Sequence, residues 1–316
     1  MMRGAWRVAG TVTAAVALLA CGEGAAAPAA GPRPDPVPTP VPTPVPLPYA
    51  TWVEATEGTM PLVLIAPHGG DLTPPELPDR GCAGCETLND ANTQALARTI
   101  DSAFAARTGK RPFVVINRLH RRKFDANRDR AEATGGHTPL DPMWELFQGA
   151  VDSAKARATR VHARALVLDL HGHAHAVPRL ELGYLLSATS LRLADSALAP
   201  LVGNSSIARL DSAAVGGDRG AALLRGPRAL GTLLVDAGYP AVPSAQDPAP
   251  LAGEAYFDGG YNTQRHGSRS AGRVDAIQIE CHNAGVRDTG ANRAAFANAL
   301  VTATLAFLSN HYGWSP

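Results

Sequence analysis

Leu166-Val167-Leu168-Asp169-Leu170-His171-Gly172-His173-Ala174-His175 passes from a short apolar run of β-formers to one acid and three histidines at alternate positions. The apolar part reads as a buried strand. In open α/β sheets ligands bind outside the carboxyl ends of strands, so its polar terminus is where metal or catalytic groups are expected. Neutral imidazole is the commonest protein metal ligand, and an adjacent carboxylate can fix its tautomer from behind. The competing reading, a polar loop with a chance histidine cluster, is weakened by four further segments.

Working outward, Leu62–Ala66, Phe113–Ile116 and Asp275–Glu280 read as further buried strands, and Leu182–Leu186 as another after the histidines. Helical patterns lie between them. Asn89 or Asp90 caps a run through Arg107 in which Leu96, Ile100 and Phe104 recur every four residues. A second helix is predicted over Asp141–Arg160, with Pro142 in its first turn, and a last one over Asn292–Asn310. Strands alternating with helices predict a three-layer α/β/α sandwich with a mainly parallel or mixed sheet.

Polar residues follow each strand: His68, then Asn117-Arg118, then Asp169 and His171, then Glu280-Cys281-His282-Asn283. One sheet edge would gather them all. His68, in Pro67-His68-Gly69-Gly70, sits where glycines let the chain turn sharply and a ligand approach, and His68 with His171 forms a candidate metal pair. Hydrolytic zinc takes three protein ligands and leaves a position for water. Asp90 is the favoured third ligand, because a helix start can project a carboxylate over the strand ends; Asp71, Glu86 and His173 are the alternatives, and helix capping is the other use for Asp90. Glu280 closes an isoleucine-containing strand, where burial would raise its pKa toward the range of a general base.

The basic run Asn117–Asp129 spreads guanidinium groups among amides and acids, which suits bidentate recognition of a carboxylate; a solvated basic loop is the plainer account. Arg128 and Arg122 lead its candidates for holding a small anionic substrate, with Arg118 and Asn127 beside them. The Gly-flanked loop Phe257–Gly267 adds Tyr261, Arg265 and His266 as candidate substrate contacts.

Arg3 and Arg7 precede an apolar stretch, Val8–Ala20, that ends at Cys21. At about 13 residues it is short for a membrane span and has the layout of a secretory signal. Cys21 makes residues 1–21 look like a lipoprotein signal, so the protein is expected to be exported and membrane-anchored, facing the periplasm or cell surface. Residues 22–48 end in alternating proline, which favours extended polyproline II and reads as a tether. Residues 49–316 remain for one catalytic domain. A net charge of +1 gives no nucleic-acid surface, and the membrane is expected to matter only through the anchor. Cys82 and Cys85 are expected to form a loop disulfide and Cys281 to be an unpaired thiol beside the core.

Taken together, Pro67-His68-Gly69-Gly70, Asp90 with Thr93, Arg122 through Asp125 to Asn127-Arg128, Asp169-Leu170-His171, Gly259-Gly260-Tyr261 with Thr263 and Gly267, and Ile277–Glu280 resemble the N-formylglutamate amidohydrolase family, itself similar in fold to the zinc carboxypeptidases. The resemblance spans roughly residues 61 to 310. It implies a zinc hydrolase with one ion on His68, Asp90 and His171, Glu280 as base, and arginines on a substrate carboxylate. The expected reaction is zinc-dependent hydrolysis of a linear amide. The rivals are an exported amidase or carboxypeptidase of cell-wall peptides or other acyl-amino acids, and a non-enzymatic metal- or solute-binding lipoprotein. Export, the Cys82–Cys85 loop and His175 set this chain apart from the cytosolic enzymes of that family.

Overall fold

Continuously apolar runs become strands because both faces of the sheet are covered. The computed structural model describes residues 48–316 except Ala214; the signal and nearly all of the tether expected from the sequence lie outside the described residues. The strands are β1 (Val53–Thr56), β2 (Leu62–Ala66), β3 (Phe113–Asn117), β4 (Ala165–His173), β5 (Leu180–Gly183), β6 (Ala241–Val242) and β7 (Val274–His282). They form one 7-stranded sheet in the order β1-β3-β2-β4-β7-β5-β6. The centre, β3-β2-β4-β7, is parallel, while β1 and β5 run antiparallel to β3 and β7. The mixed α/β/α sandwich is thus the observed fold.

Strand alternation divides the core in two. Leu62, Leu64, Leu168, Leu170, Ile277 and Ile279 pack against Leu96, Ile100 and Phe104 of α1 (Thr93–Thr108). Phe296, Leu300 and Val301 of the last long helix, Gly290–Tyr312, complete that layer. On the opposite face Val63, Ile65, Val115, Val167 and Ala276 meet Met143, Phe147 and Val151 of α2 (Asp141–His162). Among the described residues no helix is long and apolar enough to cross a membrane.

Three local readings shift. The strand expected at Leu182–Leu186 is Leu180–Gly183, because Leu185 turns to a φ of 61°, which ends extended pairing. The first helix begins at Thr93 after Asn92 in a left-handed conformation with no side-chain cap, so Asp90 is not spent on capping. β4 runs on to His173, with His173 paired to His282 of β7, and the first two histidines belong to the sheet and not to a loop. Strand β1 and the five short helices between Ala188 and Asp236 had no signal in apolar periodicity.

Candidate metal centre

The alternation that sends Leu168, Leu170, Ile277, Ile279, Leu180 and Leu182 into one core sends Asp169, His171, His173, Gln278, Glu280 and Glu181 to the other face. Register does the rest. His171 pairs with Glu280 across β4 and β7, and Glu181 of β5 pairs with Glu280 from the other side. These residues lie toward the carboxyl ends of β4 and β7, beyond Val167 and Ala276, which pack on α2.

His68 arrives from the turn after β2. The Asn117 Nδ2 amide donates to Pro67 O (2.8 Å), fixing that turn from the end of β3. Gly70 passes so close that a Cβ there would lie 2.3 Å from Leu119 O. Asp90 comes from the loop before α1 and is buried with both histidines. Its Oδ2 lies 3.3 Å from His68 Nδ1 and 3.1 Å from His171 Nδ1, and accepts from the Gly172 amide at 3.1 Å.

The rear of each imidazole is braced. His68 Nε2 donates to Asp125 Oδ1 at 2.6 Å, and Arg121 Nε donates to Asp125 Oδ2 at 3.0 Å. His171 Nε2 lies 3.2 Å from Asp169 Oδ1 and 3.3 Å from Asn127 Nδ2. The donor atoms of His68, Asp90 and His171 all fall within 4.8 Å of one another. Four ligands at zinc–nitrogen distances of about 2.0 Å would stand roughly 3.3 Å apart in a tetrahedron, and the spacings of Asp90 Oδ2 to the two imidazoles, 3.3 and 3.1 Å, match that edge. The donor set, its carboxylate backing and its spacing all fit a single divalent ion.

The surrounding charge is mostly negative. Burial would raise the pKa values of Asp90 and Asp125, but the His68 and His171 charges outweigh it for Asp90, and His68 followed by Arg121 and Arg128 outweighs it for Asp125, so both are lowered. Burial pulls His171 down, yet Asp169, Asp90 and Glu280 together lift it well above the usual imidazole range. Glu280 is pushed up to about 8 by burial, an effect that His171 opposes and Asp90, Glu181 and Asp169 reinforce. Its Oε1 accepts from Gln278 Nε2 at 2.9 Å, while Oε2 has no hydrogen-bond partner, and Asp169 is held by the 3.2 Å ion pair of its Oδ1 with His171 Nε2. An unpartnered buried carboxylate oxygen on Glu280, beside His171 across the β4–β7 register, is an arrangement that a cation completes.

His68, Asp90, His171, Gln278 and Glu280 line a cavity of about 530 Å³, shared with Asn127, Arg128, Gly260 and, at its rim, the exposed Leu88 and Phe257. A Cβ at Gly260 would sit 2.4 Å from Asn127 Nδ2, so the glycine there makes room for the amide beside His171. Part of the wall is held by Arg287, a residue without a role in the sequence reading. Its guanidinium donates to Cys281 O at 3.1 Å, His173 O at 3.2 Å and Ala91 O at 2.5 Å, tying β7, β4 and the entry to α1 together.

Of the expected substrate contacts, Asn127 and Arg128 reach this cavity and the other five do not. Arg118 turns outward to Thr51 O (2.8 Å), as the side chain after β3 lies beside the edge strand β1. Arg122 is exposed beside Asp79 at 3.7 Å. Tyr261, Arg265 and His266 lie on α3 (Tyr261–His266) and line a separate cavity of about 700 Å³. There Arg265 is bound to Asp152 and Gln148, and His266 to Gln148 Oε1 at 2.7 Å. That helix formed from a segment expected to be a loop, and it turned the three away. Among the alternative third ligands, Asp71 and Glu86 are exposed, and His173 faces Arg179 O and Glu181. Asp125 and Glu181 were missed as site residues. The signal available for Glu181 was a lone acid between leucines in a strand-like run. Cys82 and Cys85 form a disulfide, and Cys281 is free and buried.

No protein-family model and no curated protein matches the chain. Among solved structures it is similar to the N-formylglutamate amidohydrolase from Ralstonia eutropha JMP134, with 15% identity over 82% of this chain and 97% of that one and a TM-score of 0.49. It is similar to a gene product of Agrobacterium tumefaciens, with 14% identity over 81% and 95% of the two chains and a TM-score of 0.47. It is also similar to the N-acetylmuramyl-L-alanine amidase Ami1 from Mycobacterium smegmatis, with 15% identity over 78% and 96% and a TM-score of 0.35. The family resembled by the motifs is therefore represented among structures similar to this one, and the chemistry below is argued from this chain's own residues.

Proposed function

We propose that the protein is a metal-dependent amidohydrolase that cleaves a linear amide in a small substrate bearing a carboxylate, with zinc as the ion best matched to the donor set. The observation that carries the reading is the convergence of His68, Asp90 and His171 beside Glu280, whose Oε2 has no partner. A zinc ion, when bound there, would supply a water of pKa about 7 and a Lewis acid for the scissile carbonyl. Glu280 would hold the proton of the attacking water at Oε2 and deliver it to the departing amine nitrogen. Burial raises the Glu280 pKa in the metal-free protein, which favours proton capture, and a nearby cation would lower it toward a working base. Arg128 gives one N–H to Asn127 O at 2.8 Å and has donors left for a substrate carboxylate. Asn127 is pinned through its Oδ1 by the Asn262 amide at 2.7 Å, so its Nδ2 is held beside His171 for a polar group of the substrate.

A Glu280→Gln protein that keeps its metal is expected to lose about 10²–10⁴-fold in turnover; unimpaired turnover with metal retained would exclude Glu280 as the base, whereas a metal-loaded wild-type protein that turns over no amide would favour simple metal capture by a binding lipoprotein. A second reading within the same chemistry has its own support. A cavity of about 530 Å³ whose rim exposes Leu88 and Phe257 has room for more than a formyl group. It favours longer acyl-amino acids or short cell-wall peptides, and comparing formate release with amino-acid release separates the two. We place the protein outside the cytoplasm, tethered by its N-terminal segment; the Cys82–Cys85 bridge supports that setting, since disulfides persist in oxidising compartments.

A further inference from the structure

Next to the first donor set, at the end of β4, stands a second one. We propose that His173, His175 and Glu181 hold a second divalent transition-metal ion, of the zinc class, separate from the ion assigned to His68, Asp90 and His171. Their donor atoms lie within 4.8 Å of one another, with His175 Nδ1 2.8 Å and His173 Nδ1 3.9 Å from Glu181 Oε1. These two distances straddle the roughly 3.3 Å edge that four zinc ligands require.

The back of the site is already built. His173 Nε2 donates to Arg179 O at 2.8 Å, which leaves Nδ1 as the ring's lone-pair nitrogen. Glu181 Oε2 accepts from the Phe257 amide at 2.8 Å, which leaves Oε1 toward the two imidazoles. The His175 ring stacks on Phe257, with centroids 4.5 Å apart and planes at 27°. His173 and Glu181 are therefore oriented by hydrogen bonds on their far sides, as metal ligands are, and His175 by the stacking of its ring.

Charge gives a second, independent argument. Glu181 is wholly buried, and its ion-pair partners among the described residues are these two histidines alone. Arg179, two residues before it, is taken by Asp247 and Glu254. The register also sets Glu181 opposite Glu280, so two buried carboxylates face each other across β5 and β7. A buried acid in that position needs a cation.

The donors are two nitrogens and one carboxylate oxygen, and His173 and His175 both line the cavity of about 530 Å³, so a fourth position would open toward it. To bind, His173 must give up the hydrogen bond it accepts from the His175 amide at 3.1 Å, and His175 must release its Nδ1 proton. With His175 partly exposed where all three ligands of the first set are buried, the second ion is held more weakly than the first. Because its ligands bracket the connection from β4 to β5, it would clamp that connection as a wall of the pocket.

The test is metal stoichiometry of the full chain, stripped with chelator and titrated with zinc alone or with cobalt followed by its visible spectrum. Wild-type protein is expected to take up two equivalents in two affinity classes. His175→Ala and Glu181→Gln should each take up one, retaining the tighter class, and Asp90→Ala should lose the tighter class and keep the weaker. His175 is partly exposed, so its alanine variant decides the matter even if Glu181→Gln fails to fold. A single equivalent in saturated wild-type protein, or two in His175→Ala, overturns the proposal. Either result leaves the hydrolase reading standing, because that reading stands or falls with the class lost in Asp90→Ala.

Discussion

Asp125→Asn is the change that separates a braced metal ligand from an ordinary buried histidine. Asp125 is fully buried and serves three donors: Oδ1 takes His68 Nε2–H at 2.6 Å and the Asn127 amide at 3.0 Å, and Oδ2 takes Arg121 Nε–H at 3.0 Å. Asparagine has one acceptor oxygen in the same shape. Turned toward His68, it sets its amide N–H against the Arg121 guanidinium; turned the other way, it sets the N–H against His68. Either way one hydrogen bond to a charged group becomes a donor–donor contact, which costs about 1.5–3 kcal/mol in the metal-free protein. For the metal, loss of a carboxylate behind a ligating imidazole typically weakens binding about 10–100-fold, or about 1.4–2.8 kcal/mol. Competition with a chromophoric zinc chelator reads the second quantity, and urea unfolding in excess EDTA reads the first. A zinc affinity within about threefold of wild type, in a protein showing the expected loss of stability, would refute the claim that Asp125 tunes a ligand.

Three further outcomes follow from the structure. Arg128→Ala should raise KM for a carboxylate-bearing substrate by tenfold or more with a smaller change in kcat, as removing a ground-state contact does, and steady-state kinetics measures the split. Gly172→Ala should destabilise the fold by a few kcal/mol in chemical denaturation, because its Cβ would lie 2.5 Å from Arg287 Cζ and displace a buried guanidinium. Burial raises the pKa of Asp275 above the ordinary carboxylate value of 3.8 despite hydrogen bonds from Ser268, Tyr312 and the Leu210 amide. The folded state therefore holds a proton that the unfolded chain has released. The stability of wild type relative to Asp275→Asn should be constant below pH about 4 and fall as pH rises from there through the raised pKa; a difference that is flat with pH refutes the shift.

Much of the fold was legible because buried parallel strands carry their signal in short continuous runs. Leu62–Ala66, Phe113–Ile116, Ala165–Leu170 and Asp275–Glu280 needed no context, and the polar residues that follow or close them marked one sheet edge. His68, Asp90, His171 and Glu280 could be named for the same reason, being the polar residues where apolar strands end or, for Asp90, where a helix is about to begin. What escaped was set by tertiary direction. Arg118 and Arg128 are alike in the sequence, yet one points at Thr51, just before β1, and the other into the cavity. Asp125 was visible in a motif but not as the acceptor for His68, since residues 57 apart meet only through the β2–β3 pairing. The segment Tyr261–His266 carries glycines on both flanks and reads as a loop, but in place it makes a short helix whose His266 is buried against Gln148 of α2.

Arg287 has a consequence for how this pocket can diversify. One guanidinium clasps carbonyls from three separate segments, so the floor can change only if several positions change together, and glycine at 172 is locked in with it. The mouth is less constrained: the Leu88 side chain stands in solvent, and Phe257, though stacked on His175, is held there by no hydrogen bond from its ring. New substrate preferences can therefore accumulate one residue at a time around the opening while the reactive interior is inherited unaltered.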